Sequence, residues 1–166
     1  GAGGFEIAAL SAGLVKAALL DVLAGRVANA YALSRPPGHH CLPDLPNGFC
    51  MLANIAIAIR AAQAAGLGRR FVVIDWDVHH GNGTEACFYD DPSVLTISLH
   101  GDPHFCTPFF TGHAHEVGEG EGLNVDLSKK DDVDRFFSAA LEYLGGVDIA
   151  VINAAVPAEA ASRAQS

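Results

Sequence analysis

Four side chains between positions 75 and 80 are of the types that hold metal ions. Asp75, Asp77 and His79 alternate along the chain, and His80 follows directly. Side chains two residues apart in an extended segment point the same way, so the first three can converge on one point. Two carboxylates and an imidazole suit a borderline or hard divalent cation. The spacing therefore predicts a metal site, although Asp and His after a strand also serve as ordinary turn formers and helix caps.

A second His-His dipeptide lies upstream, at His39 and His40. It ends a loop that Pro36, Pro37 and Gly38 hold open. A single histidine in a loop is by default a solvated side chain. Two separate His-His pairs, each beside turn residues, are hard to ascribe to packing, and imidazoles act both as metal ligands and as general acids or bases. Together they favour a catalytic metal site.

The elements that must position these residues surround the alternating segment. The β-branched apolar run that begins at Phe71 has the composition of a strand buried on both faces. Gly81 and Gly83 then turn the chain, and Thr84 with Glu85 predicts the start of a short helix that ends near Tyr89. This arrangement places the candidate ligands at the carboxyl end of a buried strand.

The remaining apolar periodicities predict alternating helices and strands. The predicted helices are Phe5–Leu23, Phe49–Ala65 and Asp132–Leu144, and the predicted strands are Asn29–Leu33, Val94–Leu99, Leu123–Leu127 and Asp148–Asn153. Such alternation indicates an α/β fold with a mainly parallel sheet covered on both faces. Loops beyond the carboxyl ends of such strands build the site, and the loops at His39, at Asp77 and after Leu99 occupy these positions.

A long loop is predicted from His100 to Gly122. Loops of this length inside compact domains are usually functional or disordered. Its histidines are interpreted as loop residues and its glutamates as a solvated face: His100, His104, His113 and His115, and Glu116, Glu119 and Glu121.

Composition limits the classes of function. The chain has 166 residues, of which 50% are hydrophobic and 17% charged, with a net charge of −9. This composition is typical of a soluble globular protein. We expect the domain at 1–153 and a disordered or weakly helical tail at 154–166. The acidic balance argues against nucleic acid as a partner.

No signal peptide or membrane-length apolar run is visible. The four cysteines form no Cys-x-x-Cys pair, which favours reduced thiols in a cytoplasmic protein.

Several segments together resemble the histone deacetylase family, including its bacterial acetylpolyamine amidohydrolases and class II-like members. The matching segments, in the family's order, are Arg35-Pro-Pro-Gly-His-His40, Gly48-Phe-Cys50, Asp75-x-Asp-x-His-His-Gly-Asn-Gly-Thr84, Ser98-Leu-His-Gly-Asp-Pro103, Pro108-Phe-Phe110 and Gly118-Glu-Gly120. The resemblance spans Phe5 to about Asn153. It implies the arginase–deacetylase fold, a three-layer α/β/α sandwich, and zinc-dependent hydrolysis of an acetylated amine.

The resemblance also implies roles for individual residues. Asp77 and His79 match two zinc ligands. His39 and His40 match the tandem pair beside the reactive water, one a general base and the other an electrostatic catalyst or acid, with Asp75 orienting His39 and Asn82 supporting His40. A structural potassium site would use Asp75, Asp77, His79, Ser98 and Leu99, and the walls of the acyl tunnel would be Gly48, Phe49 and Phe110. From the residues alone, an aromatic side chain beside a glycine is more often core.

The chain departs from the family pattern at two points. The aspartate that would be the third zinc ligand, expected just after Asn153, is absent, and so is the Gly-rich segment with the tyrosine that polarises the substrate carbonyl. Two interpretations follow: an incomplete catalytic domain whose activity belongs to the complete domain, or a degenerate protein that binds metal weakly or serves only in interactions. An arginase-like amidinohydrolase is a third and more distant alternative.

Substrate and assembly carry further expectations. The substrate would be acetyl-lysine or a small acetylated amine, with a slight preference for acetylpolyamines because of the acidic chain and the His100–Pro103 segment. An apolar strand at Asp148–Asn153 without its family neighbours favours aggregation or a homo-oligomer.

Overall fold

The computed structural model of the chain describes residues 2–106, 108, 110–118, 123–126, 131, 142 and 149–153. Three helices and four strands are defined within them: α1 (Gly4–Leu23), α2 (Asn54–Ala64), β1 (Phe71–Asp75), α3 (Asn82–Phe88), β2 (Val94–His100), β3 (Leu123–Asp126) and β4 (Ile149–Asn153). The predicted helix at Asp132–Leu144, apart from residue 142, and the predicted tail at 154–166 lie outside the described residues.

All four strands form one parallel sheet in the order β3-β2-β1-β4. β1 therefore lies inside the sheet, between β2 and β4. The register aligns Phe71 with Val94 and Asp75 with Ser98, so the last residue of β1 lies beside a polar residue of β2. The predicted parallel α/β architecture is confirmed, and the two carboxyl ends meet at one edge, as the sequence required.

The two faces of the sheet bury different clusters. Phe71, Val73 and Val94 pack with residues of α1, α2 and α3, among them Leu19 and Ile59. On the opposite face Val72, Leu95 and Ile97 form a second buried cluster. Because side chains alternate along a strand, Asp75 shares the face of Phe71 and Val73. The carboxylate therefore emerges on the helix side of the sheet, at its carboxyl edge.

A buried polar contact anchors the loop that carries His39 to both long helices. Ser11 of α1 donates its hydroxyl to the carbonyl of Pro36 over 2.8 Å, and the Asn54 side-chain amide donates to the same oxygen over 3.1 Å. Gly38 lies against the start of α2, where an added Cβ would be 2.5 Å from the backbone nitrogen of Asn54. The loop is thus fixed by α1 and α2.

Two predicted elements are wrong in part or whole. Residues 29–33 form no strand and lie outside the sheet, with Tyr31 and Leu33 exposed. The second helix begins at Asn54 rather than at Phe49. Gly48 and Phe49 have positive φ angles of 52° and 65° in a tight turn, and a side chain in that conformation cannot lie in a right-handed helix.

None of the described helices combines the length and the apolar character that a membrane span requires.

Candidate active site

The segment after β1 is held in shape by its own carboxylates. Asp75 is buried, and its Oδ1 accepts the backbone N–H of Asp77 over 3.1 Å. The next carboxylate repeats this contact, because Asp77 Oδ1 accepts the backbone N–H of His79 over 2.8 Å. Gly81 then passes so close that an added Cβ would be 2.5 Å from Asp75 Oδ2. The predicted ligands therefore lie on a rigid turn.

The start of α3 holds the His39–His40 loop against this turn. The backbone N–H groups of Gly83 and Thr84 donate to the carbonyl of His39 over 2.8 and 3.1 Å. These donors belong to the first turn of the helix, where N–H groups lack intrahelical partners. A Cβ at Gly83 would be only 2.4 Å from the backbone oxygen of Cys41. Glycine at this position permits the loop and the helix to touch.

The structure brings the two predicted catalytic histidines together with their predicted partners. His39 Nδ1 lies 2.9 Å from Asp75 Oδ2, and His40 Nδ1 lies 2.7 Å from Asn82 Oδ1. Carboxylate and amide oxygens only accept, so both Nδ1 atoms donate and each Nε2 of a neutral ring is left as an acceptor. The two ring centroids are 4.0 Å apart. Each neutral ring thus keeps one nitrogen that can accept a proton.

The different partners move the two pKa values in opposite directions. Burial lowers the pKa of His39, but the hydrogen bond and charge of Asp75 and the charge of Asp77 outweigh it, and the pKa is raised above 6.5. Burial and the neighbouring His39 lower the pKa of His40 below 6.5, since Asn82 supplies no negative charge. Near neutrality His40 is therefore the more available base.

Asp77 and His79 provide a carboxylate and an imidazole, two of the side-chain types that bind zinc. His79 Nδ1 donates to Asp77 Oδ1 over 3.0 Å, its side chain is 43% exposed, and its ring centroid lies 6.1 Å from that of His40. Among the residues that the structure describes, no group of three or more His, Cys, Asp or Glu side chains converges as a metal site. The donor chemistry fits zinc, but the described donors fall short of the three protein ligands of a typical catalytic site.

The predicted tunnel residues lie at different depths. Gly48 packs directly on His40, where an added Cβ would be 2.4 Å from the ring atom Cδ2. Phe49 is 95% exposed and Phe110 is 64% exposed, so neither is a core aromatic. Large exposed aromatic side chains beside a polar site suit contact with a ligand. Their assignment as walls of an acyl tunnel stays a prediction.

The predicted potassium ligands also occupy the neighbourhood of this turn. Ser98 is paired with Asp75 across β1 and β2, and its Oγ accepts the backbone N–H of Gly81 over 3.4 Å. Leu99 follows Ser98 on the same strand. The potassium site itself stays a prediction.

Cys50 lies beside the site, where its Sγ accepts the backbone N–H of His40 over 3.4 Å. Burial raises the pKa of this thiol to about 11. It is therefore a neutral thiol at physiological pH and not a thiolate ligand. All four cysteines are free, as the sequence predicted.

Two assignments in the long loop are wrong. His100 is the last residue of β2 and fully buried, and Glu116 is half-buried, where its carboxylate accepts the backbone N–H groups of Gly112 and His113. His80, to which the sequence assigned no separate role, lies against His100 with 4.6 Å between the ring centroids and 55° between the ring planes. The alternation Thr96, Ser98, His100 along β2 already carried the signal, because it places His100 on the face of Asp75.

The family model described as "Histone deacetylase domain" matches residues 2–147. The chain belongs to the histone deacetylase family. A histone deacetylase-like amidohydrolase of Pseudomonas aeruginosa is 57% identical over 128 residues, covering 77% of this chain but 33% of the relative. Acetylpolyamine amidohydrolase 2 of the same organism is 44% identical over 106 residues, covering 64% of this chain and 30% of the relative.

Solved structures agree with the sequence relatives. The HDA15 HD domain superimposes with a TM-score of 0.78 at 40% identity, covering 89% of this chain and 46% of that structure. An acetylpolyamine aminohydrolase from Burkholderia pseudomallei gives a TM-score of 0.77 at 35% identity, covering 87% and 44%. The predicted deacetylase fold is confirmed, and this family member spans less than half of each of these proteins.

Proposed function

We propose that this deacetylase-family chain carries part of a site for zinc-dependent hydrolysis of the acetyl amide of acetyl-lysine or a small acetylated amine. The observation that supports it best is the pair of differently partnered histidines, His39 on Asp75 and His40 on Asn82, beside Asp77 and His79. Amide hydrolysis needs a base for water and an acid for the leaving amine. The pair provides groups for both tasks.

The proton-handling roles follow from the partners. His40, whose pKa is lowered, is neutral near pH 7 and accepts the proton of the attacking water at Nε2. The protonated ring then donates that proton to the departing amine. His39, whose pKa is raised, holds a proton more readily than His40, and when protonated it would place positive charge beside the developing oxyanion, with Asp75 holding its ring. General acid–base assistance of this kind is worth roughly 10²–10⁴ in rate.

Asp77 and His79 would hold the zinc ion. When bound, zinc acts as a Lewis acid and lowers the pKa of a coordinated water to about 7. Around it, Gly48, Phe49 and Phe110 would enclose the acyl chain, and a structural potassium ion would be held by groups of Asp75, Asp77, His79, Ser98 and Leu99. A cytoplasmic location, a homo-oligomeric state and the absence of nucleic-acid and membrane partners belong to the same proposal.

An alternative is binding without turnover. The specific observation behind it is that Asp77 and His79 lie together, but no group of three or more His, Cys, Asp or Glu side chains converges among the residues that the structure describes. A chain of this kind would bind zinc weakly and leave acetylated substrates intact. Zinc affinity and hydrolysis measured on the same variants separate the two functions.

Calorimetric titration of the chain with zinc tests the metal assignment. We expect weak binding that Asp77→Asn or His79→Ala weakens by roughly 100-fold or more, since outer-shell changes alone cost 10–100-fold. His104→Ala is the matched control, because His104 is an exposed histidine paired with Asp102. Binding that follows His104 and not Asp77 would contradict the assignment.

Hydrolysis of an acetyl-lysine peptide and of an acetylated diamine, with zinc supplied, tests the reaction. We expect no measurable turnover from these 166 residues, and turnover once the chain is joined to the remaining segment of a family member. In that active form His40→Ala should abolish turnover, whereas His104→Ala should not change it. Zinc binding without turnover in either form would support the alternative, and turnover that survives His40→Ala would contradict the proposed mechanism.

A further inference from the structure

A second histidine pair, behind the candidate active site, uses all four of its ring nitrogens. His80 and His100 are 2% and 0% exposed, with ring centroids 4.6 Å apart. His80 lies next to the predicted ligand His79, and His100 ends β2. Buried imidazoles are tolerated where their polar atoms are satisfied. The partners of these two rings therefore show what the pair holds together.

One nitrogen of each ring faces the scaffold. His80 Nε2 donates to the Glu85 carboxylate of α3 over 3.2 Å, and His100 Nδ1 accepts the Ser98 hydroxyl over 2.9 Å. A carboxylate only accepts, which fixes the proton of His80 on Nε2. A neutral His80 ring is then an acceptor at Nδ1. Both rings are oriented by residues of regular elements.

The other nitrogen of each ring faces the segment after Phe110. His80 Nδ1 accepts the Thr111 hydroxyl over 2.7 Å, and His100 Nε2 donates to the carbonyl of Gly112 over 2.9 Å. Two consecutive residues of the loop are thus bonded to two adjacent buried rings. The segment is fixed to the end of β2 and to the turn that carries His79.

Packing supports the same conclusion independently of the hydrogen bonds. Gly112 has a φ of 98°, and an added Cβ would lie 2.6 Å from His100 Nε2 and 3.0 Å from His80 Cγ. The loop backbone therefore rests on both rings, and only glycine fits there. Glu116 closes the segment by accepting the backbone N–H groups of Gly112 and His113 over 2.7 and 2.6 Å.

We infer that His80 and His100 are positioning residues that fix Phe110 relative to the metal-binding turn, acting through Thr111 and Gly112. The exposed Phe110 ring would contact the acyl chain of an acetylated amine, and this part of the inference rests on the proposed function. Neither histidine touches the substrate. They determine the position of Phe110, which forms one side of the substrate site. Substrate affinity therefore depends on residues behind the site.

Amide hydrogen exchange of the 166-residue chain tests the anchoring without any activity. Thr111→Val removes the hydroxyl with little change in shape, and Thr111→Ser is the matched control that keeps it. We expect exchange at Gly112 and His113 to be roughly 3- to 10-fold faster in Thr111→Val, the equivalent of one lost hydrogen bond. Thr111→Ser and the amides of β1 should stay close to the native rates. Equal exchange in both variants would overturn the inference.

A double-mutant cycle on acetyl-lysine peptide binding, with zinc present, then tests the link to Phe110. If Thr111 acts through Phe110, Thr111→Val weakens binding in the native chain but adds no further weakening to Phe110→Ala. Additive losses would show a general structural role and overturn the positioning of Phe110. If the native chain binds no peptide, that failure belongs to the proposed function, and the exchange comparison alone decides whether the histidine pair anchors this segment.

Discussion

Two histidine pairs lie close to the turn that follows β1, and they differ in what their ring nitrogens contact. In the His39–His40 pair, Nδ1 of each ring is bonded, and neither Nε2 has a hydrogen bond within the described part of the chain. In the His80–His100 pair, both nitrogens of both rings are bonded and both rings are buried. An imidazole with an open nitrogen can exchange protons, whereas one with both nitrogens bonded is a cross-link. Residue type alone does not separate these roles.

Replacing one histidine of each pair should give the largest contrast. His80→Leu leaves Glu85 and Thr111 without the ring, and we expect the free energy of unfolding to fall by about 2–4 kcal/mol. His40→Leu removes the partner of one buried oxygen, Asn82 Oδ1, so its cost should be smaller, about 1 kcal/mol. Urea denaturation followed by circular dichroism measures both. Equal losses would show that the two pairs do not differ as structural elements.

A steric clash between α3 and the His39–His40 loop should lower the free energy of unfolding by a smaller amount. Gly83→Ala forces a methyl group against the backbone of Cys41, which cannot rotate away, and we expect a loss of about 2–3 kcal/mol. Gly13→Ala is the matched control, because it lies inside α1 with nothing within 4 Å of the added carbon. That variant should gain about 0.5–1 kcal/mol from helix propensity. A neutral Gly83→Ala in the same denaturation assay would mean that the loop is not clamped by α3.

The smallest expected effect is the order of titration within the His39–His40 pair. In the metal-free chain, imidazole resonances followed by NMR should show the pKa of His39 above 6.5 and that of His40 below it. A raised folded-state pKa stabilises the fold below pH 6.5, and this contribution is lost as the pH rises through the raised value. The lowered pKa of His40 has the opposite sign, so folding is penalised as the pH falls below 6.5. Identical or reversed pKa values would remove the basis for distinct roles.

Much of the fold and the primary site could be predicted from the sequence because their signals are local. The apolar run from Phe71 and the alternation of Asp75, Asp77 and His79 place a strand and its polar end within a few residues. The pairing of His39 with Asp75 and of His40 with Asn82 was implied by the resemblance to the family, and the structure shows both contacts.

Other features depend on contacts between distant segments, which no local pattern carries. His100 looks like a loop histidine until β2 is known to extend through it and Gly112 is known to pack on its ring. Phe49 begins an apolar run that resembles a helix, but the turn at Gly48 that packs on His40 gives it a positive φ. In both cases a tertiary contact overrides the local preference.

Asp75 combines several tasks in one carboxylate, and this limits how the protein can change. Its Oδ2 orients His39, its Oδ1 holds the backbone of Asp77, and its close approach to residue 81 requires a glycine there. A substitution at this position alters the base strength of a neighbouring ring, the shape of the turn that carries Asp77 and His79, and the room beside it at the same time. Evolution therefore cannot adjust one of these properties through Asp75 without disturbing the others. Gradual tuning of such a site is easier at Asn82 or Thr111, whose side-chain hydrogen bonds each reach one histidine ring.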